Sequence, residues 1–347
     1  MRIALIIVIG IHGVIHLFGF LKAFDLSEFN AITQPISKAF GLLWLLTFVL
    51  FAVTVFLLSI QSNYWWAIGI VGVILSQLLI LNYWSDAKFG TIINLVVLVL
   101  IFLLYSSGSF KKMVGDETAK MFEDSNTLVN TILSEQMIVD LPATIQKWLL
   151  NSGAIAKPLV YNVYLEQDLQ MLMKPEQKEW NKAKARQYFT IAPPAFIWSV
   201  KLKMNPFLAV VGRDKFENGQ GEMTIKLLSF FTIVDAKNNE KVNQATLQRY
   251  LAEIVWFPSF SLSPYISWEA MDDYSAKATM EYNGTEGSGI FHFEENGDFK
   301  KFVAMRYKDA DDVLPTEWKL ESGNWTWLKL KITDIRYNIG EMPMGLN

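Results

Sequence analysis

Residues 40–60 read FGLLWLLTFVLFAVTVFLLSI, residues 61–63 read QSN, and residues 64–81 read YWWAIGIVGVILSQLLIL. Two such apolar runs joined by three polar residues predict a helical hairpin across a bilayer, because about 18–20 residues at 1.5 Å rise span a ~30 Å hydrocarbon core. Tyr64, Trp65 and Trp66 open the second run, and Tyr83 and Trp84 close it, where amphipathic rings favour the membrane–water interface. Ile3–Leu21 and Gly90–Tyr105 are runs of the same kind, the last only just long enough. Four spans over residues 1–110 follow. A cleaved signal peptide fits the first run poorly, since its basic segment is Arg2 alone and Gly19-Phe20-Leu21-Lys22 is a weak cleavage site.

Charge divides the chain at the same place. Of 65 Asp, Glu, Lys and Arg residues, only Arg2, Lys22, Asp25, Glu28, Lys38, Asp86 and Lys88 precede residue 111, and 58 fall in 111–347. The reading is a four-helix transmembrane domain over 1–110, a polar linker over 111–126 and a soluble domain over 127–347. An integral membrane protein is expected. The lysines and arginines near the span ends balance between the two sides, so the side of the soluble domain stays open. With no cysteine, disulfide scaffolds, zinc–cysteine sites and thiol catalysis are excluded. A net charge of −3 argues against a nucleic-acid partner held through phosphates.

Polar residues inside a span need a partner or a role. His12 and His16, two of three histidines, lie four apart and therefore share one face of the first helix. One reading is a metal or cofactor site completed by Asp86, the only carboxylate near the spans; haem held by both rings fails, because axial ligands approach from opposite faces. The other is a pair of buried imidazoles bonded to Ser76, Gln77, Asn82 or Asn94. No bound cofactor is assigned.

The soluble half predicts a helix at Leu141–Asn151, with Pro142 in its first turn and Gly153 as its cap, and another at Gln244–Val255, stopped at Trp256-Phe257-Pro258. Three Asn-Gly pairs, at 218–219, 283–284 and 296–297, each separate β-rich runs and signal hairpins. Alternating stretches at Val160–Leu172, Gln187–Thr190, Phe196–Met204 and Trp325–Tyr337 add strands. The expected fold is α+β, with about ten strands in one curved, mainly antiparallel sheet (a half-open barrel) and helices on one face.

Catalytic signals are sparse here. His292 sits mid-strand, Gly287-Ser288-Gly289 lacks the nucleophile-elbow spacing, and neither HExxH nor a phosphate-cradling loop occurs. Asp309, Asp311 and Asp312 do not continue into a calcium loop, and Asp272-Asp273 reads as a turn. Arg249 and Glu253 stand at i, i+4 before Trp256 and Phe257; they read either as a helix-docking ion pair or as the rim of a pocket. Eight of twelve tryptophans lie beyond residue 110, Trp268 among them.

The stretch Arg-Tyr-Leu-Ala-Glu-Ile-Val-Trp-Phe-Pro at 249–258, with Leu262–Glu269 and Asp272, resembles the signature of an uncharacterised bacterial family, a domain of unknown function. Arg186-Gln187-Tyr188, Pro194-x-Phe196-x-Trp198, Thr333–Asn338 and the pieces Ile15–Phe20 and Trp84–Thr91 extend the resemblance over nearly the whole chain, the last two matching members with a four-helix membrane segment. The connection between Arg306-Tyr307 and Pro315–Trp318 is shorter than the family pattern, which bears on how the sheet closes. The resemblance implies no activity. The β-rich half is also similar in pattern to the half-open barrels of bacterial lipoprotein carriers, which implies an apolar ligand. The first expectation is therefore a membrane-anchored binding or carrier module for a lipid or other apolar ligand, touching it through Arg249, Glu253, Trp256, Phe257 and Trp268. The second is a membrane enzyme, redox or metal-binding component using His12, His16 and Asp86. The third is an assembly scaffold. Beyond the bilayer no partner is specified.

Overall fold

A computed structural model describes residues 1–27, 32–123, 125, 131–172, 177–204, 208–307, 316–321 and 328–340. The chain forms two compact units, Met1–Ser109 and Phe110–Asn347.

The helical unit contains α1 (Arg2–Ala23), α2 (Lys38–Ser59), α3 (Trp65–Asn82), the single turn α4 (Trp84–Ala87) and the start of α5 (Gly90–Glu123). Four of these are long and apolar enough to cross a membrane. Leu5, Ile9, His12, His16, Gly19 and Ala23 fall on one face of α1, the face that is buried, while Ile3, Ile7, Ile11 and Ile15 are exposed. Gly19 lets α1 approach α2 closely, since a Cβ there would come within 2.4 Å of the Trp44 ring. Small residues at helix contacts have this role where helices pack in lipid.

The fourth apolar run is longer than its composition predicts. Residues 111–126, expected as a polar linker, are helical as far as Glu123. The physical reason is amphipathicity: Phe110, Val114 and Met121 recur at helical spacing and pack on Tyr164, Tyr188, Ile197 and Val211 of the β unit. Arg213 then grips Glu117 of the same helix at 3.1 Å.

In the β unit, α6 (Ala143–Asn151) forms where a helix was expected, with Pro142 as its N-cap rather than in its first turn and Gly153 after it in the left-handed region. Twelve strands follow among the described residues: β1 (Asn162–Met171), β2 (Asn181–Ile191), β3 (Pro194–Lys203), β4 (Ala209–Glu217), β5 (Gln220–Leu227), β6 (Phe231–Ala236), β7 (Ile266–Asp272), β8 (Ser275–Tyr282), β9 (Thr285–Phe293), β10 (Phe299–Arg306), β11 (Thr316–Glu321) and β12 (Leu328–Tyr337). All pair antiparallel. They divide between two sheets, of order β12-β1-β2-β3-β4-β5-β6 and β11-β10-β9-β8-β7, rather than forming one half-open barrel. The division falls where α7 (Glu240–Glu253) interrupts the run of hairpins between β6 and β7. Asn218-Gly219 and Asn283-Gly284 take positive φ at both positions, as two-residue hairpins require, whereas Asn296-Gly297 sits in a longer turn between β9 and β10. Asp272 ends β7 and its carboxylate accepts the Tyr274 amide at 2.8 Å, so Asp272-Asp273 is a turn. His292 lies within β9.

Helix α7 starts at Asn239, whose side chain accepts the amides of Lys241 and Val242. It packs on β4 and β5 of one sheet and on β8, β9 and β10 of the other. Two glycines permit this. A Cβ on Gly221 in β5 would meet Thr246 Oγ1 at 2.4 Å, and one on Gly287 in β9 would meet Gln248 Cγ at 2.7 Å. Gly287 thus serves a close approach of helix to strand, while Gly289 makes room for the Phe302 ring of β10. The core around α7 is aromatic: Phe189, Phe196, Phe216, Tyr250, Phe257 and Phe260 are all buried. Each such side chain contributes roughly 1.5–3 kcal/mol of burial. Asp309, Asp311, Asp312, Trp325 and Trp327 lie outside the described residues, as does the connection between β10 and β11; those two strands nevertheless pair, Arg306 opposite Thr316.

Candidate functional site

Two clusters of buried polar side chains stand out, one in each unit. In the β unit the organiser is Arg249, on the face of α7 turned to the seven-stranded sheet. Its Nη1 donates to Asp214 Oδ2 at 2.6 Å and its Nε to Glu253 Oε1 at 3.1 Å. The guanidinium lies over the Trp198 ring at 4.8 Å and over Phe196 at 5.2 Å. Glu253, only 1% exposed, also accepts from Gln187 Nε2 at 2.6 Å. Gln187 accepts from Gln167 at 3.0 Å, and Gln167 accepts from Trp198 Nε1 at 2.9 Å. The chain of contacts therefore closes on itself: Trp198, Gln167, Gln187, Glu253, Arg249 and back to the face of Trp198.

Arg306 at the end of β10 adds a second cation from the other sheet. Burial, then the like charge of Arg249, pull its pKa down to about 10, against the opposing pull of Asp214 and Glu253. Burial pushes the carboxyls of Asp214 and Glu253 up, and the arginines offset only part of that. Two cations and two anions thus share one desolvated space, balanced in formal charge.

Of the five residues expected at a ligand site, Arg249 and Glu253 come together as an ion pair. Phe257 is fully buried against Phe189 at 4.9 Å, and Trp256 is half-buried edge-on to the same ring at 6.5 Å. Trp268 stands apart on β7, donating to the Ser261 carbonyl at 3.0 Å and lying 5.3 Å from Phe291. Side chains of both sheets join in one hydrophobic core. An open surface depression of about 450 Å³ lies elsewhere, lined by Tyr265, Ser267, Glu281 and Tyr282 among others. Sequence reasoning missed Asp214 and gave Gln187, Trp198 and Arg306 no role, although the last three fall in the family-like stretches. The only signal for Asp214 is a carboxylate inside a strand, between Arg213 and Lys215.

In the helical unit, His12 Nε2 lies 2.9 Å from Asn94 Oδ1 and 3.3 Å from Ser76 Oγ. Asn94 in turn donates to Gln77 at 3.1 Å, and Gln77 to Thr91 at 3.1 Å. An amide oxygen only accepts, so His12 carries its proton on Nε2. His16 Nδ1 lies 2.9 Å from the His12 carbonyl, so its proton is on Nδ1. His12 Nδ1 and His16 Nε2 are left buried without a hydrogen-bond partner. The Asp86 carboxylate is engaged elsewhere, accepting the amides of Thr33 and Gln34 at 2.7 and 2.8 Å and the Thr33 hydroxyl at 2.7 Å. Among the described residues no three of His, Asp and Glu stand together in a way that could hold a metal ion. Asn82, a candidate partner of the histidines, bonds back to Leu78 on its own helix.

A family model described as a family of unknown function (DUF6544) matches residues 131–332. The chain belongs to this family. The DUF6544 region contains the whole Arg249 cluster, from Gln167 to Arg306, and excludes α1–α5. No curated protein matches the chain in sequence.

Proposed function

We propose that the β unit is a binding module held at a membrane by α1, α2, α3 and α5, and that it takes a lipid or other apolar ligand between its two sheets by displacing α7. The observation that supports this reading is the set of polar side chains that α7 buries among its apolar ones. Thr246, Gln248, Arg249 and Glu253 are buried or nearly so, and Gln248 Nε2 bonds only to main-chain carbonyls, of Ser288 at 3.0 Å and Met305 at 2.9 Å. A helix docked through exchangeable hydrogen bonds leaves more readily than one docked through aliphatic contacts alone, because water replaces the bonds it loses. The aromatic shell beneath it would then receive an acyl chain.

The test uses the absence of native cysteine. A Cβ on residue 287 lies 2.7 Å from Gln248 Cγ, close to the roughly 3 Å from Cβ to the far sulfur in a disulfide. The double variant Gln248→Cys, Gly287→Cys should therefore pin α7 to β9. A photoactivatable phospholipid should crosslink to residues of β3, α7 and β9 in the full chain, lose those crosslinks when the pair is oxidised, and regain them on reduction. Crosslinks confined to residues 1–109, or unchanged by oxidation, would defeat the proposal.

A second reading rests on the bare nitrogens of His12 and His16. They would hold a ligand in the helical unit, with Asp86 kept for the loop it caps. Metal analysis and a visible spectrum of the purified chain, compared with His12→Ala, test it: no metal, no chromophore and no change would remove it.

A further inference from the structure

The outer face of the seven-stranded sheet, on which the second half of α5 packs, carries its charges unevenly. Near the β4–β5 turn the ions are matched: Arg213 and Lys215 meet Glu117, Glu217 and Glu222. Toward the other end they are not. The register aligns Lys331, Asp168, Lys184, Lys201, Val211 and Lys226 in one row across β12, β1, β2, β3, β4 and β5. The next row aligns Lys329, Gln170 and Lys182, and Lys203 stands two residues beyond Lys201 on β3. Seven lysines thus share one end of one face. Among the described residues, Lys184 pairs with Asp168 there at 3.6 Å, both side chains largely exposed.

Folding alone does not account for this. Like charges directly opposite on neighbouring strands destabilise a sheet, yet Lys184 faces Lys201. Lysine on an edge strand discourages aggregation, which explains Lys329 and Lys331 on β12 but not four lysines on the inner strands β2 and β3. Location supplies the second observation. Val211 in the first row packs in the cluster that contains Phe110, and Lys111 lies within electrostatic reach of Lys201 and Arg186. By chain order Phe110 and Lys111 follow the apolar run that ends α5's candidate span. The lysine rows therefore begin where the chain leaves that run.

We propose that this lysine face binds the anionic phospholipid headgroups of the bilayer that holds the helices. Basic side chains next to a span gain about 1 kcal/mol each from an anionic surface, or about fivefold in occupancy, and the gain is lost as salt shortens the screening length. The interaction is separate from ligand uptake between the sheets, and either can fail without the other.

Amine acylation of the full chain in nanodiscs, mapped by mass spectrometry, tests it. In discs containing phosphatidylglycerol, Lys182, Lys184, Lys201 and Lys203 should react about fivefold more slowly than in phosphatidylcholine discs. The difference should vanish at 0.5 M salt (about a 4 Å Debye length), and Lys277 and Lys300 of the other sheet should not change. The triple variant Lys184→Gln, Lys201→Gln, Lys203→Gln should keep its unfolding midpoint or raise it while retaining fewer anionic lipids. Equal rates in the two discs, or protection by added RNA or acidic protein with none from phosphatidylglycerol, would overturn the proposal.

Discussion

In the helical unit, five polar side chains from α1, α3 and α5 bond to one another without a formal charge; in the β unit, two arginines and two carboxylates share a desolvated space with two glutamines and a tryptophan. The contrast follows from what surrounds each. A helix that must be stable in hydrocarbon can satisfy a neutral amide or imidazole from its neighbours, whereas an ion there is far more costly. The β unit tolerates ions because its cluster is balanced and Asp214, 22% exposed, still reaches water. One network joins helices by neutral bonds, and the other ties α7 to the sheet by matched charges and hydrogen bonds that a displaced α7 would exchange for water.

The largest effect should come from unbalancing the charged network. Arg249→Met removes the cation that Asp214 and Glu253 share, and breaking a buried pair from one side costs roughly 3–5 kcal/mol. Adding Glu253→Leu restores neutrality, with Asp214 left to Arg306, so the double variant should recover most of that loss. Chemical unfolding of the full chain in detergent, followed through tryptophan fluorescence, measures both. A double variant no more stable than the single one would show that geometry, rather than charge balance, holds the site.

The neutral network should yield less. Asn94→Leu leaves the His12 Nε2 proton with Ser76 Oγ alone and takes one of two partners from Gln77, yet polar contacts between helices in membranes are worth about 0.6 kcal/mol on average, up to ~2. A loss of about 1 kcal/mol in unfolding of the helical unit is expected. A loss as large as that of Arg249→Met would mean that a buried water or ligand, rather than the side chains alone, completes the network.

The two networks also differed in how far they could be read beforehand. His12 and His16 were legible because a histidine in an apolar helix is conspicuous, and helical spacing places Ile9, His12, His16 and Gly19 on one face. Their partners Ser76 and Asn94 came from the short roster of polar residues in the spans. The Arg249–Glu253 pair was legible from i, i+4 spacing within α7. Asp214 and Arg306 were not, since they reach Arg249 only through the pairing of β3 with β4 and the placement of β10 in a second sheet, which are long-range contacts. The split into two sheets escaped for the same reason: hairpin signals fix neighbours along the chain, while α7 decides where the row of neighbours breaks. Gly221 and Gly287 carried that information as small residues inside strands, a cue with several meanings until the helix is seen above them.

The smallest effect, and the sharpest in sign, concerns pH. Burial raises the Glu253 carboxyl above its ordinary 4.5, with the Arg249 charge and the bonds from Arg249 and Gln187 working against it. A group whose folded pKa is raised stabilises fully below its unfolded value, and that contribution is lost as pH rises through the folded value. The stability of the wild type minus that of Glu253→Gln should therefore shrink as pH increases from about 4 upward. Asp86 in the helical unit slopes the other way, because the Gln34 amide, then Thr33, hold its carboxyl below 3.8. Its contribution is present above that value and fades as pH falls, so Asp86→Asn should matter least in acid. Unfolding midpoints for the wild type and both variants over this range separate the two. A wild-type advantage over Glu253→Gln that grew with pH would mean that the two arginines outweigh burial, and the cluster would then be a true ionic clamp on α7 rather than a matched set at the edge of neutralisation.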